Sequence, residues 1–322
     1  MAATPGYALA VAFPRLFGRS DPAENPVFRR ARPDERGAAV GLVFGAPPHA
    51  AASLERRAAR EGLDLTRTWI AEMGGTLEGA AMLVPHPGRT ALLLTSPPRD
   101  LGHAERVGRL AGAMLADAEA IAGLDLVQSL CAPEESLRAE AFRIGGLRHL
   151  ATLDYLERAD HPSLPAPRPR EGVTFERWNP AERRTLERLL VATYVDTLDC
   201  PGLAQVRRIE DIVDGHLSAC GGDARHWFIG FAHGAPIAAA LVSVSLTPGT
   251  ADLVYLGVVP EWRGKGVGAM VMLHALRSAA LTGAQAMSLA VDTRNAPAIR
   301  LYRGLGFARV RTREAFVAST RR

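Results

Sequence analysis

Long apolar runs, cysteine and lysine are what this 322-residue chain has least of, and each shortage excludes something. The longest apolar run, near Pro236 to Leu246, falls well short of the roughly 20 residues a spanning helix needs, so no membrane segment is expected. The stretch Tyr7 to Phe17 has no basic residues before it and is broken by Pro14, which argues against a secretory signal. Cys131, Cys200 and Cys220 form no C-x-x-C pair and are odd in number. That argues against a disulfide framework or a metal site, and for a reducing, cytoplasmic setting. Of 38 basic residues only Lys265 is a lysine, and no Lys/Arg block occurs. A net charge of +4 without a basic stripe suits a chain that tolerates a small anionic ligand, and nucleic acid is not an expected partner.

What is present is the composition of a globular protein, 48% apolar and 22% charged, long enough for two domains that each bury a core. The segment Ala159 to Gly172, ADHPSLPAPRPREG, carries four prolines and reads as an extended linker. It divides the chain into residues 1–158, the linker 159–172 and residues 173–322. The two halves repeat each other. A shift of 160 residues sets Val107-Gly108 on Val267-Gly268, Gly123 on Gly283, and Phe142-Arg143 and Gly146-Leu147 on Tyr302-Arg303 and Gly306-Phe307. An apolar helical face survives the same shift, with Val107, Leu110, Ala111 and Met114 matching Val267, Met270, Val271 and His274.

The halves differ at one loop. Pro260-Glu261-Trp262-Arg263-Gly264-Lys265-Gly266-Val267-Gly268 follows an apolar strand and opens a helical run. Its glycines let successive N–H groups turn toward an anion, and a helix N-terminus adds orphan donors. In the first half His103, Ala104 and Arg106 stand where Arg263, Gly264 and Gly266 would be. The cradle is therefore expected in the second half only.

Hydrophobic periodicity and turn residues predict the second half as a helix from Pro180 to Asp196, short helices to Cys220, and strands Trp227–Ala232, Pro236–Leu246 and Ala251–Val259. The glycine-loop helix should run to Gly283, followed by strand Ala286–Val291, helix Ala296–Leu305 and strand Ala308–Ala318. An antiparallel meander passing into an α/β crossover gives a mixed sheet with helices packed on it, an α/β (α+β) fold.

The run from Tyr255 to Gly268 and the run Asp292-Thr293-Arg294-Asn295-Ala296-Pro297 through Tyr302 to Phe307 resemble the GNAT superfamily of acyl-CoA N-acyltransferases. The resemblance is specific in residues 172–322 and reaches the first half through the repeat. Two tandem GNAT-like domains, the first degenerate, resemble the arrangement of mycothiol synthase. The resemblance implies acetyl-CoA as co-substrate and an amine acceptor, with Gly264, Lys265, Gly266, Val267 and Gly268, together with Arg263, on the CoA pyrophosphate. It implies a bulged, splayed strand whose Leu256 and Val258 backbone groups meet pantetheine and the thioester carbonyl, with Gly257 suited to the bulge. Asn295 falls near the cofactor. Asp252 falls where many members carry a glutamate base and, one methylene shorter, would act through water; Tyr302 falls where a tyrosine protonates the leaving thiolate. Without the resemblance, Asp252 reads as a residue beside a turn, Tyr302 as an aromatic anchor and Asn295 as a helix N-cap. Leu92 and Phe142 occupy the Asp252 and Tyr302 positions of the first half. The acidic segment Tyr194 to Cys220 would suit a cationic amine, and Cys200 with His216 leaves a ping-pong route open. A non-catalytic acyl-CoA-binding module is the alternative function.

Overall fold

The computed structural model describes residues 25–60, 62–159, 170–203, 206–244 and 249–321. The stretch Tyr7 to Phe17, linker residues 160–169 and Pro248 lie outside the described residues. The first half runs β1 (Val27–Arg30), α1 (Arg36–Val43), α2 (Ala51–Arg60), β2 (Thr68–Met73), β3 (Thr76–His86), β4 (Thr90–Thr95), α3 (Leu101–Ala116), β5 (Leu126–Cys131), α4 (Ser136–Ile144) and β6 (Arg148–Ala159). The second runs β7 (Val173–Arg177), α5 (Arg183–Tyr194), α6 (Ile209–Ala219), β8 (Trp227–Ala232), β9 (Ala235–Val244), β10 (Thr250–Val258), α7 (Val267–Ala280), β11 (Ala286–Asp292), α8 (Ala296–Gly304) and β12 (Ala308–Ser319).

The 160-residue shift maps α4 onto α8 and β6 onto β12 with identical limits, so the sequence repeat is a structural one. It also exposes a difference. The first six residues of α3 correspond to the turn and glycine loop that precede α7, so in the first half that segment is helix.

All twelve described strands form one mixed sheet in the order β1-β2-β3-β4-β5-β12-β6-β11-β10-β9-β8-β7. Only β4–β5 and β10–β11 pair in parallel. Each half sends its last strand into the other: β6 pairs with β11 from Ala286↔Ala159 to Asp292↔Leu153, and β12 pairs with β5 from Glu314↔Cys131 to Ser319↔Leu126. The exchange carries core residues with it. Leu156 of β6 is buried in the core of the second half with Trp227 and Val271, and Phe316 of β12 in that of the first with Met114 and Phe142. Burying each such side chain is worth about 2 kcal/mol, so neither half completes its core alone.

Helix α7 covers one face of β8, β9 and β10, while α5 covers the other. Along β6 and β11 the burial alternates. Asp154, Leu156 and Arg158 are buried toward the α7 face, as are Met287 and Leu289, whereas Tyr155, Glu157, Ser288 and Ala290 are open on the α5 face. In the middle of the sheet that second face is therefore uncovered among the described residues, and the site lies beside it.

Candidate active site

Strand β10 holds β11 only over Thr250↔Ala286, Ala251↔Met287 and Asp252↔Ser288, and then the two part. The V between them opens a cavity of about 610 Å³. One wall is Leu253 to Val258; the other is Ala290, Val291 and the start of α8 with Asn295, Leu301 and Tyr302. Thr193 to Asp199 close it from above, and Arg263, Gly264, Gly266 and Gly268 stand at its mouth.

The wall of β10 presents backbone polar groups. Along a strand, successive N–H and C=O pairs point to opposite edges. Val259 N–H donates to Ile237 O of β9 at 2.9 Å, so the Val258 and Leu256 groups point away from β9, into the V. The bulge of this strand is at Val254, where the β9 register slips between Leu253 and Tyr255. Gly257 is not the bulge: a Cβ there would come within 2.8 Å of Thr193 Cβ, so glycine is required by the close approach of α5.

At the mouth, Gly264 and Gly266 have φ of 70° and 79°, left-handed values that cost other residues about 1–2 kcal/mol. A Cβ on either would meet nothing within 4 Å. Protein packing thus does not account for these glycines; backbone conformation and free access to the loop do. Gly266 is the N-cap of α7 and supplies no side-chain cap, which leaves the first-turn N–H groups, including those of Val267 and Gly268, available to an anion. Lys265 places its ammonium 5.2 Å from the centre of the Trp262 ring. Arg170, a residue the sequence reading did not select, donates to Lys265 O at 2.8 Å and stacks on the same ring.

The Arg263 side chain departs from the role expected for it. Its guanidinium donates to Val258 O at 3.0 Å, Asp196 O at 3.1 Å, Thr193 O at 3.0 Å and Val195 O at 2.7 Å. Four carbonyls, three of them at the C-terminus of α5, engage the fork, where a cation also opposes the negative end of the helix dipole. Arg263 thereby clamps the loop over the cavity, and Asp196 in that loop holds a left-handed φ of 51°.

The chemical groups are unevenly placed. Tyr302 is 6% exposed and lines the cavity. Burial, with the Asp199 charge adding to it, pushes its phenol well above the ordinary range, so the hydroxyl stays protonated. Asp252 does not line the cavity. It stands at the apex of the V, next to Leu253, and its carboxylate accepts a short hydrogen bond from Ser288 Oγ. Asn295 caps α8, its Oδ1 accepting from Ala298 N at 3.3 Å, and its side chain lies near enough to Asp199 to favour that carboxylate's charged form. Asp199 lines the cavity, accepts from Asp292 N at 2.9 Å, and is raised by its surroundings, chiefly through desolvation. Cys200 and His216 share no hydrogen bond, and burial pushes the thiol up to about 12, which disfavours a thiolate nucleophile. No group of metal-ligating side chains occurs among the described residues, and no described helix is long and apolar enough to cross a membrane.

The first half has closed each of these features. Ser129 Oγ of β5 donates to Leu93 O of β4 at 2.7 Å and bridges the parting strands. The Asp100 carboxylate caps α3 by accepting from His103 N at 2.7 Å, so an internal anion occupies the helix terminus. His103 is buried, with Nε2 donating to Glu78 O at 2.7 Å and Nδ1 accepting from Arg99 N. Phe142 fills the Tyr302 position and packs on Phe316 at 5.4 Å.

Residues 173–307 match the model of the Acetyltransferase (GNAT) family. Two curated proteins named mycothiol acetyltransferase are similar over short stretches. That of Nocardiopsis dassonvillei is 36% identical over 110 residues, 32% of this chain and 31% of that protein. That of Thermobifida fusca is 39% identical over 56 residues, 17% of each. The matches thus span a third or less of those relatives. Among solved structures, a GCN5-related N-acetyltransferase from Sphaerobacter thermophilus superposes with a TM-score of 0.60 at 17% identity, covering 92% of this chain and 96% of that one, a likeness of fold.

Proposed function

Since the second half of this chain belongs to the GNAT acetyltransferase family, we propose that the protein is an N-acetyltransferase moving an acetyl group from acetyl-CoA to a primary amine by direct transfer. The observation that carries this reading is the V between β10 and β11: it is open and ends on two left-handed glycines in the second half, while side chains of the first half close its counterpart.

The amides of Gly264 to Gly268 would receive the CoA pyrophosphate, with Lys265 and Arg170 adding charge, and the pantetheine arm would lie along Leu256 and Val258. Arg263 supports this site by holding its wall. The Val258 N–H faces the V and would stabilise the oxyanion formed as the amine attacks the thioester carbon, an effect of about 3 kcal/mol for a single donor. The acceptor ammonium loses a proton to Asp252 through water, which frees the amine lone pair for attack. As the C–S bond breaks, Tyr302 gives its phenolic proton to the sulfur. Asn295 helps by fixing the start of α8.

The test is release of free thiol from acetyl-CoA across a panel of amines that includes the acceptor of mycothiol acetyltransferase. Absence of acceptor-dependent release across that panel would sink the proposal. The Ser288 bond to Asp252 favours a second reading, a non-catalytic acyl-CoA-binding module. In that case Asp252→Asn and Tyr302→Phe would leave function intact while Gly266→Glu removes it.

A further inference from the structure

The uncovered sheet face continues the cavity floor and is electrically polarised. Ala290 of β11 lines the cavity and pairs with Tyr155 of β6, which pairs in turn with Arg311 of β12. One row away, Asp252 pairs with Ser288, and Ser288 with Glu157. Residues directly opposite on neighbouring strands share a face, so all six sit on one floor. Asp252 and Glu157 make one end acidic. Glu157 is exposed, and its side chain makes no hydrogen bond or ion pair among the described residues. At the other end the Arg311 guanidinium lies 4.6 Å from the centre of the Tyr155 ring and has no carboxylate partner among the described residues. Beyond it the floor is covered, since Leu153, Cys200, Leu203 and Val206 all pack against the buried cluster of Leu150, Ala151 and Ala315. With strands about 4.8 Å apart and residues about 3.3 Å apart along them, the Arg311 backbone lies roughly 8 Å from that of Glu157, 12 Å from Ser288 and 16 Å from Asp252.

We propose that the acceptor is a zwitterion lying on this floor, its ammonium at Asp252, Ser288 and Glu157 beside the cavity and its anionic group on Arg311. The degenerate half then takes part in acceptor recognition, because Tyr155 and Glu157 belong to its last strand, carried into the second half by the exchange. A purely cationic amine would meet Arg311 unfavourably; a neutral one would leave it unused.

This inference rests on the acetyltransferase reading, and triglycine and triglycinamide test it, since each spans about 10 Å and they differ in one terminal charge. The KM for triglycine should lie about tenfold below that for triglycinamide, the size of one charge-assisted hydrogen bond. Arg311→Gln should bring the two together by weakening triglycine alone, and Glu157→Gln should raise KM for both. Calorimetric titration of each peptide into CoA-loaded protein should show the same order. Equal KM values in the wild type, equal losses for both peptides in Arg311→Gln, or binding of neither peptide to CoA-loaded protein would overturn it. Failure of the enzyme reading looks different: no amine then releases thiol, whether or not CoA stabilises the fold, and the inference falls with its premise.

Discussion

The repeat supplies its own control for the acid proposed at Tyr302. Phe142 occupies the matching place in the first half, buried on the matching helix, so the fold already tolerates phenylalanine there. Tyr302→Phe removes one oxygen that faces the cavity and leaves the buried ring in contact with Phe307. Stability should change by less than about 0.5 kcal/mol, as no protein hydrogen bond is lost. The chemical effect should be much larger. Without a donor the thiolate must leave unprotonated, which is feasible for a thiol of ordinary acidity, near pH 8.5, but forfeits general-acid catalysis of about 10²-fold or more. A fall of two decades in kcat corresponds to about 2.7 kcal/mol of transition-state stabilisation. The assay is steady-state thiol release with acetyl-CoA varied at saturating amine, alongside thermal unfolding with and without CoA. Folding and the KM for acetyl-CoA should be preserved. A variant with wild-type kcat would refute the assignment, and one that also loses CoA-dependent stabilisation would show that the tyrosine serves packing.

Gly266→Ala should fold, because its Cβ meets open space, but the left-handed φ of 79° should cost about 1–2 kcal/mol, while Gly266→Glu should also abolish CoA-dependent stabilisation in a thermal shift assay. Splitting the chain between Ala159 and Arg170 should give two fragments that are each insoluble alone yet assemble when co-expressed, as size exclusion would show, because β6 and β12 complete each other's cores. His216, lowered from 6.5 to about 4 by burial and then by Arg207, binds fewer protons folded than unfolded between those values. Its contribution should be complete above pH 6.5, decline as pH falls through the window, and be flat below about 4, a loss of at most about 3 kcal/mol that urea titrations of His216→Phe should lack.

Periodicity and turn chemistry made most elements legible. Strand Trp227–Ala232 has the expected limits, and β11, α8 and β12 differ from their expected ends by a single residue each, since Gly and Pro mark the breaks. The expected helix Pro180–Asp196 begins as a 3-10 turn over Pro180–Glu182 and ends at Tyr194, where Arg263 takes up the last carbonyls. That contact links residues about 70 apart in sequence, and no local pattern encodes it. The same limit explains the bulge. Gly257 attracted the assignment because glycine permits irregular backbone, but its smallness serves Thr193, and the slip falls at Val254, which carries no local signal. Arg170 reached the glycine loop unnoticed for a similar reason: it follows a proline-rich segment whose composition speaks only of extension.

The strand exchange explains why a half without a CoA cradle need not be lost. A second copy that merely packed beside the first could be deleted once its ligand site decayed. Here deletion of residues 25–159 would strip β6 from β11 and leave β12 without either of its neighbours, β5 and β6, exposing unpaired edges along a sheet that is otherwise continuous. Closure of the first V by Ser129, Asp100 and His103 is compatible with this, because each of these bonds stabilises the half that must still receive β12. The outer face of β6 carries Tyr155 and Glu157, on the same sheet face as the cavity-lining Ala290. Those two positions separate a scaffold from a participant: if β6 only completes a sheet, replacing Tyr155 and Glu157 together should leave the kinetics of every amine alike, whereas a strand that floors the acceptor cleft makes the choice of amine depend on them.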